Sequence, residues 1–218
     1  MLKITILQRI LSGGMVAIVR ADSAEAALAL AEACISGGIT ALEVAFTTPD
    51  TLDVLKTLRQ RHGADVLLGA GTVLDPETAR MAILAGAQFI ISPSVNVETI
   101  RMCNRYQVPA MPGAMTPTEI VTALEAGADI VKIFPGDSFS PSYIKALRAP
   151  LPHAPLMPTG GVTLENMEEW FRYGSVAVGI GSSLTGPAQT GDYAAVTVKA
   201  RAFVHRMKEI KADIKDSA

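Results

Sequence analysis

DIVKIFPGD, residues 129–137, is a run of Ile130, Val131, Ile133 and Phe134 with a lysine, Lys132, set in its middle. A short β-branched run between Ala126-Gly127-Ala128 and Pro135-Gly136 predicts a strand. Seven further runs read alike: MVAIVR from 15, ALEVAF from 41, DVLLGA from 65, FIISPS from 89, PAMPGA from 109, PLMPTG from 155 and VAVGIG from 176. Between them lie Ala- and Leu-rich stretches with helical spacing. Thr48-Pro49, Asp75-Pro76 and Thr116-Pro117 predict helix starts, the last with Glu119 completing a capping box. Helices are expected to close on SGG from 36 and AGA from 85 and 126, where glycine takes a left-handed turn. Eight β-then-α units, with no linker or low-complexity segment, predict an α/β chain. The expected form is a single (β/α)8 TIM barrel over residues 1–218, with an extra N-terminal helix over about 1–12. An open doubly wound sheet is the alternative.

Composition agrees with one aliphatic core: 49% of the 218 residues are hydrophobic and only 5% aromatic. A formal net charge of −2 gives no basic excess, which excludes electrostatic support for a nucleic acid or an anionic membrane. MLKITILQRIL resembles an export signal only superficially, because Gln8 and Arg9 interrupt it and no small-residue cleavage site follows. It reads instead as the helix closing one end of the domain. Cys34 and Cys103 stand apart in apolar helical contexts, as reduced, buried thiols of a cytoplasmic protein would. No apolar run approaches the length of a bilayer span.

Side chains of a strand alternate, so Ile130, Lys132 and Phe134 share one face while Val131 and Ile133 share the other. In ALEVAF, Leu42, Val44 and Phe46 suit the helix side, which turns Ala41, Glu43 and Ala45 inward. An ammonium and a carboxylate therefore enter the same interior. A buried ion pair is the structural alternative, but desolvating two charges costs several kcal/mol and apolar residues serve as well. The functional reading uses that desolvation: it favours a neutral amine able to attack a carbonyl and form a Schiff base, with Glu43 moving protons. An iminium withdraws electrons, so carbon–carbon bond cleavage beside a ketone is the expected chemistry. Gly160 and Gly161 in PTGGV, with Gly179 and Gly181 in GIGSS, leave backbone N–H groups free after the last two strands, where this fold binds phosphate. Ser182 and Ser183 add hydroxyls.

With Glu43, GAGTV (69–73), ISPS (91–94), MPG (111–113), VKIFPG (131–136), PTGG (158–161) and GIGSS (179–183) in order, the chain resembles the bacterial 2-keto-3-deoxy-6-phosphogluconate (KDPG) aldolases from about Val16 to the C-terminal helix. The resemblance implies reversible cleavage of that acid to pyruvate and glyceraldehyde 3-phosphate in the Entner-Doudoroff pathway, with 4-hydroxy-2-oxoglutarate as a second substrate. It implies no metal, no cofactor and a homotrimer. Lys132 then matches the Schiff-base lysine, Glu43 the general acid/base and Thr72 a threonine on the pyruvate side. Pro93 and Phe134 match the lining of the pyruvyl pocket, and Thr159, Gly160, Gly161, Gly181 and Ser182 the phosphate end. His62, His153 and His205 are expected at the surface.

One position departs from the pattern. Four residues after the glutamate, where some members carry an arginine for the substrate carboxylate, this chain has Thr47, a substrate-binding candidate that, like Thr72, supplies a hydroxyl but no charge. Arg20, at the end of the first strand, is the nearest candidate for the missing charge; the alternative is a solvated strand-end residue. Three further readings stay open: an aldolase for the galactonate epimer, a phosphate-binding barrel isomerase, and a phosphosugar-binding regulatory domain.

Overall fold

The computed structural model describes residues 3–216, with side chains through residue 214. Met1 and Leu2, part of the expected N-terminal helix, and Ser217 and Ala218, at the end of the expected domain, lie outside the described residues. Helix α1 spans Lys3–Gly13, followed by strand β1 (Met15–Val19), α2 (Ala24–Ser36), β2 (Ala41–Ala45), α3 (Thr51–His62) and β3 (Leu67–Gly71). Then come α4 (Pro76–Leu84), β4 (Phe89–Ile91), α5 (Val97–Arg105), β5 (Ala110–Met111), β6 (Gly113–Ala114), α6 (Pro117–Glu125) and β7 (Val131–Ile133). The chain continues with α7 (Ser142–Arg148), β8 (Leu156–Pro158), α8 (Met167–Arg172), β9 (Val178–Ile180), the short α9 (Ser182–Thr185) and the long α10 (Tyr193–Asp216).

All pairings are parallel, in a six-stranded sheet of order β5-β4-β3-β2-β1-β9 and a three-stranded sheet of order β6-β7-β8. The expected fifth strand, PAMPGA, is two segments, because Pro112 between them has no N–H to give to a ladder. Its carbonyl still accepts from Lys132 N at 2.9 Å. At the other margin the sheets touch through a bridge between Thr159 and Gly179, and Val176 N donates to Leu156 O at 2.9 Å.

The alternation expected from the strands is present. Leu42, Val44, Val131 and Ile133 belong to the larger core between strands and helices. Val16, Ala41, Leu67, Phe89, Met111, Ile130 and Met157, drawn from strands of both sheets and the residue before β7, form a second core capped by Ile6 and Ile10 of α1. Lys3 anchors α1 there: its Nζ lies 2.9 Å from Asp129 Oδ2, which also accepts from Ala110 N at 2.9 Å.

The helix signals hold with one correction. Asp75 and Thr116 cap α4 and α6, the latter in a full capping box. Thr48 does not cap α3, which starts at Thr51 after Asp50; the Thr48 hydroxyl instead accepts from Ala21 N at 3.3 Å. Gly38, Gly86 and Gly127 carry the positive φ that ends their helices. Cys34 and Cys103 are buried, and burial pushes both thiols up to about 12. Among the described residues no helix is long and apolar enough to cross a membrane.

Candidate active site

Glu43 and Lys132 sit at the centres of β2 and β7, on the face that carries the second core, with only 3% and 6% of their surfaces exposed. Each has a glycine on the neighbouring strand: Glu43 pairs in register with Gly69, and Lys132 with Gly113. On the other side Glu43 faces Ile18, and Lys132 faces Met157. The glycines make room. A Cβ on Gly113 would stand 2.3 Å from the backbone of Pro93, so the loop after β4 can lie against β6, the strand beside Lys132, only because no side chain intervenes. The Lys132 ammonium is 4.7 Å from the centroid of the Phe134 ring, which is partly exposed at the mouth of the site.

Glu43 is electrostatically poised. Burial pushes its carboxyl above the usual carboxylate range, and the charges of Lys132 and then Arg20 pull it partly back. Its Oε2 is buried without a hydrogen-bond partner. Such an acceptor in a dry interior is costly unless something else comes to satisfy it.

Arg20, exposed just beyond β1, turns over the strands: its Nη2 lies 3.4 Å from the hydroxyl of Thr72. Thr72 holds φ 60°, an uncommon conformation for a β-branched residue, directly after Gly71. Arg20 is thus brought to Glu43 and Thr72. Thr47 lies exposed in the turn after β2.

At the end of β8, Thr159 is 3% exposed and its Oγ1 is unpartnered. Gly160 and Gly161 follow with φ 94° and 67°. They pack on Asp137: a Cβ on Gly161 would stand 2.9 Å from Asp137 Cα, and one on Gly160 3.5 Å from Asp137 Oδ1. That carboxylate was missed in the sequence, where nothing distinguishes it from a turn residue. Ser182, the first residue of α9, is exposed, whereas the Ser183 hydroxyl is spent on Val162 O at 2.6 Å. A cavity of about 650 Å³ opens beside Arg20, Gly181 and Ser182 and runs to Asp22, Gln189 and Tyr193. His153 and His205 are exposed, while His62, half-buried, pairs with Glu32.

A buried amine and a buried carboxyl on one inner face, with a guanidinium at the rim, suit imine chemistry on a keto acid. The family model for KDPG and KHG aldolase matches residues 6–199. The chain belongs to the KDPG and KHG aldolase family. Among its members, the 2-dehydro-3-deoxy-6-phosphogalactonate aldolase of Escherichia coli is 38% identical over 89% of this chain and 95% of that protein. The 2-dehydro-3-deoxy-phosphogluconate aldolase of Treponema pallidum is 39% identical over 89% of this chain and 93% of its own length. The structure of KDPG aldolase from Legionella pneumophila, with pyruvate captured as a covalent carbinolamine, superposes with a TM-score of 0.81 at 29% identity, covering 88% of this chain and 95% of that one. Family membership was legible in the ordered motifs, which include Gly181 and Ser182 beside this cavity.

Proposed function

We propose that this chain is a class I aldolase that reversibly cleaves 2-keto-3-deoxy-6-phosphogluconate to pyruvate and glyceraldehyde 3-phosphate, with cleavage of 4-hydroxy-2-oxoglutarate as a second activity. The observation that carries the reading is Lys132, a buried amine on an inner strand face whose charge acts on the buried carboxyl of Glu43. The Lys132 nitrogen adds to the C2 carbonyl, and the resulting carbinolamine loses water to an iminium. Glu43 supplies the proton for that loss, then accepts the C4 hydroxyl proton as the C3–C4 bond breaks and its electrons pass to the iminium. The enamine is reprotonated at C3, and water releases pyruvate. The unpartnered Glu43 Oε2 gives the substrate hydroxyl or catalytic water an acceptor.

In this reading Arg20 and Thr72 hold the pyruvyl carboxylate, and Pro93 and Phe134 line its pocket. Thr159, Gly160, Gly161, Gly181 and Ser182 receive the phosphate. Thr47, exposed in the turn after β2, offers the substrate a hydroxyl but no charge. Cleavage of the galactonate epimer is the second reading, favoured by the 38% identity to the Escherichia coli enzyme of that name. A barrel isomerase has no use for the buried Lys132.

The same proposal takes the chain as one closed (β/α)8 domain. Support comes from the two margins, where β5 and β6 adjoin at Pro112 and Thr159 bridges Gly179, and from one inner core drawn from both sheets. Two free buried thiols support a cytoplasmic setting. Exposed Leu74, Met81 and Leu84 support a homotrimer.

Borohydride reduction with pyruvate tests the reading. One label, on Lys132, is expected; no label, or a label on the exposed Lys145, would falsify it.

A further inference from the structure

Asn166 stands where a helix cap is expected, immediately before α8, yet its side chain accepts no backbone N–H of that helix. It turns back instead to the glycine loop after β8. Its Nδ2 donates to Gly161 O at 2.8 Å, and its Oδ1 accepts from Thr163 N at 2.8 Å and from Trp170 Nε1 at 3.2 Å. Two donors at one end and a carbonyl at the other allow the amide a single orientation. Trp170 is only 2% exposed, so the amide is fixed from the core side by a buried ring. The carbonyl between those contacts is held by another element: Ser183 Oγ, on α9, donates to Val162 O at 2.6 Å. Ser183 is pinned in turn, since Lys199 Nζ from α10 donates to its carbonyl at 2.9 Å.

A trans peptide points its C=O and N–H in opposite directions. With Gly161 O turned to Asn166, the Val162 N–H is turned away from it, to the side on which Val162 O meets Ser183. That is the side of α9, whose first residue is the exposed Ser182. The N–H groups of Gly160, Gly161 and Val162 donate to no backbone carbonyl among the described residues. Gly161, at φ 67°, has no side chain to hold its conformation, so the direction of these donors rests on the groups that grip the carbonyls. Donors fixed before an anion arrives bind it without the cost of being ordered by it.

Building on the aldolase reading and its phosphate at Gly161 and Ser182, we infer that Asn166 and Ser183 are positioning residues for that phosphate. By gripping the Gly161 and Val162 carbonyls from two sides, they leave the Val162 N–H aimed at the phosphate as a further donor. Each side chain acts through the backbone it holds. Pyruvate on Lys132 carries no tail to this end, so its binding is independent of the grip.

The test measures KM and kcat for 2-keto-3-deoxy-6-phosphogluconate, inhibition by inorganic phosphate, and the pyruvate concentration that half-saturates trapping on Lys132. The proteins compared are the parent, Asn166→Asp and Ser183→Ala. Aspartate keeps an oxygen for Thr163 N and Trp170 Nε1, loses the donor to Gly161 O and adds a charge; alanine at 183 adds none. Both variants are expected to raise KM and the phosphate inhibition constant by about tenfold, with kcat and pyruvate half-saturation within about twofold of the parent. Trp170, the chain's single tryptophan, should keep its emission maximum in both, which shows that the fold is intact. Equal losses for phosphorylated substrate and pyruvate overturn the assignment, as does a rise confined to Asn166→Asp, which is charge repulsion alone. If Asn166→Asp does not fold, Ser183→Ala decides by the same measures. Ser182→Ala separates the two claims: a KM that rises there but in neither other variant overturns the positioning alone, whereas a KM unmoved in all three overturns the phosphate reading and the positioning with it.

Discussion

A side-chain carbon on Gly71 would stand 2.8 Å from Cδ of Glu43, and 2.9 and 3.1 Å from its two carboxylate oxygens. The carboxyl therefore occupies the space that any other residue at 71 would claim. Gly71→Ala must push Glu43 aside, and general acid/base transfer is sensitive to displacements of that size. A fall of about 10- to 100-fold in kcat is expected, with pyruvate trapping on Lys132 retained. Unchanged kcat would mean that Glu43 does not act from this position.

Glu43→Gln should lower turnover by roughly 10²–10⁴ while imine formation persists. It also carries a stability signature. Because burial raises the folded carboxyl above its unfolded value, the folded chain holds the proton more tightly, and the stability of the parent falls as pH rises through that interval. Glutamine carries no such penalty. The melting temperature of Glu43→Gln relative to the parent should therefore climb as pH rises above the ordinary carboxylate range; a difference that stays flat refutes the burial argument.

Arg20 faces Thr72 across the strand ends at 3.4 Å, and between them a carboxylate would find both charge and hydroxyl. Arg20→Ala should raise the pyruvate concentration needed for half-maximal trapping by about tenfold, the loss expected of one charge-assisted hydrogen bond. Arg20→Lys should recover part of that, because an ammonium lacks the fork. If both variants trap pyruvate like the parent, neutral donors hold the carboxylate.

Ser182 gives a cleaner probe of the phosphate end than Gly161, where a side chain would collide with Asp137 and strain a positive φ. Ser182→Ala should raise KM for phosphorylated substrate by about tenfold and leave pyruvate unaffected. Asp137→Asn should act in the opposite direction by removing a carboxylate beside Gly160. Losses shared equally with pyruvate would place the phosphate elsewhere.

Leu84 and Met81 project from α4 with 69% and 50% of their surfaces exposed, and Leu74 precedes them on the loop. Leu84→Glu with Met81→Glu should reduce the mass seen by light scattering at micromolar concentration from trimer to monomer. A parent already monomeric at that concentration would end the trimer proposal.

Much of this was legible in the residue order. Alternation turned Glu43 and Lys132 to one strand face without any knowledge of neighbouring strands. Capping chemistry marked Asp75 and Thr116 as helix starts, because a side-chain oxygen and a free N–H three residues on are a local pair. Thr48 failed as a cap because its hydroxyl is taken by Ala21 N, a partner 27 residues away that no local pattern announces. The fifth strand broke at Pro112, a local effect that the pattern of apolar residues outweighed in reading.

The sequence by itself determined the α/β order of elements, the inward placement of Lys132 and Glu43, and the glycines after the last strands, since each follows from periodicity or backbone freedom within a few residues. Tertiary structure decided what those residues meet. It brought Arg20 to Thr72, set Asp137 beside Gly160 and Gly161, laid Gly71 against Glu43, and opened a cavity between α2 and α10. Each of these depends on the register and packing of segments far apart in the chain, which arise only when the parallel strands pair and the helices close over them.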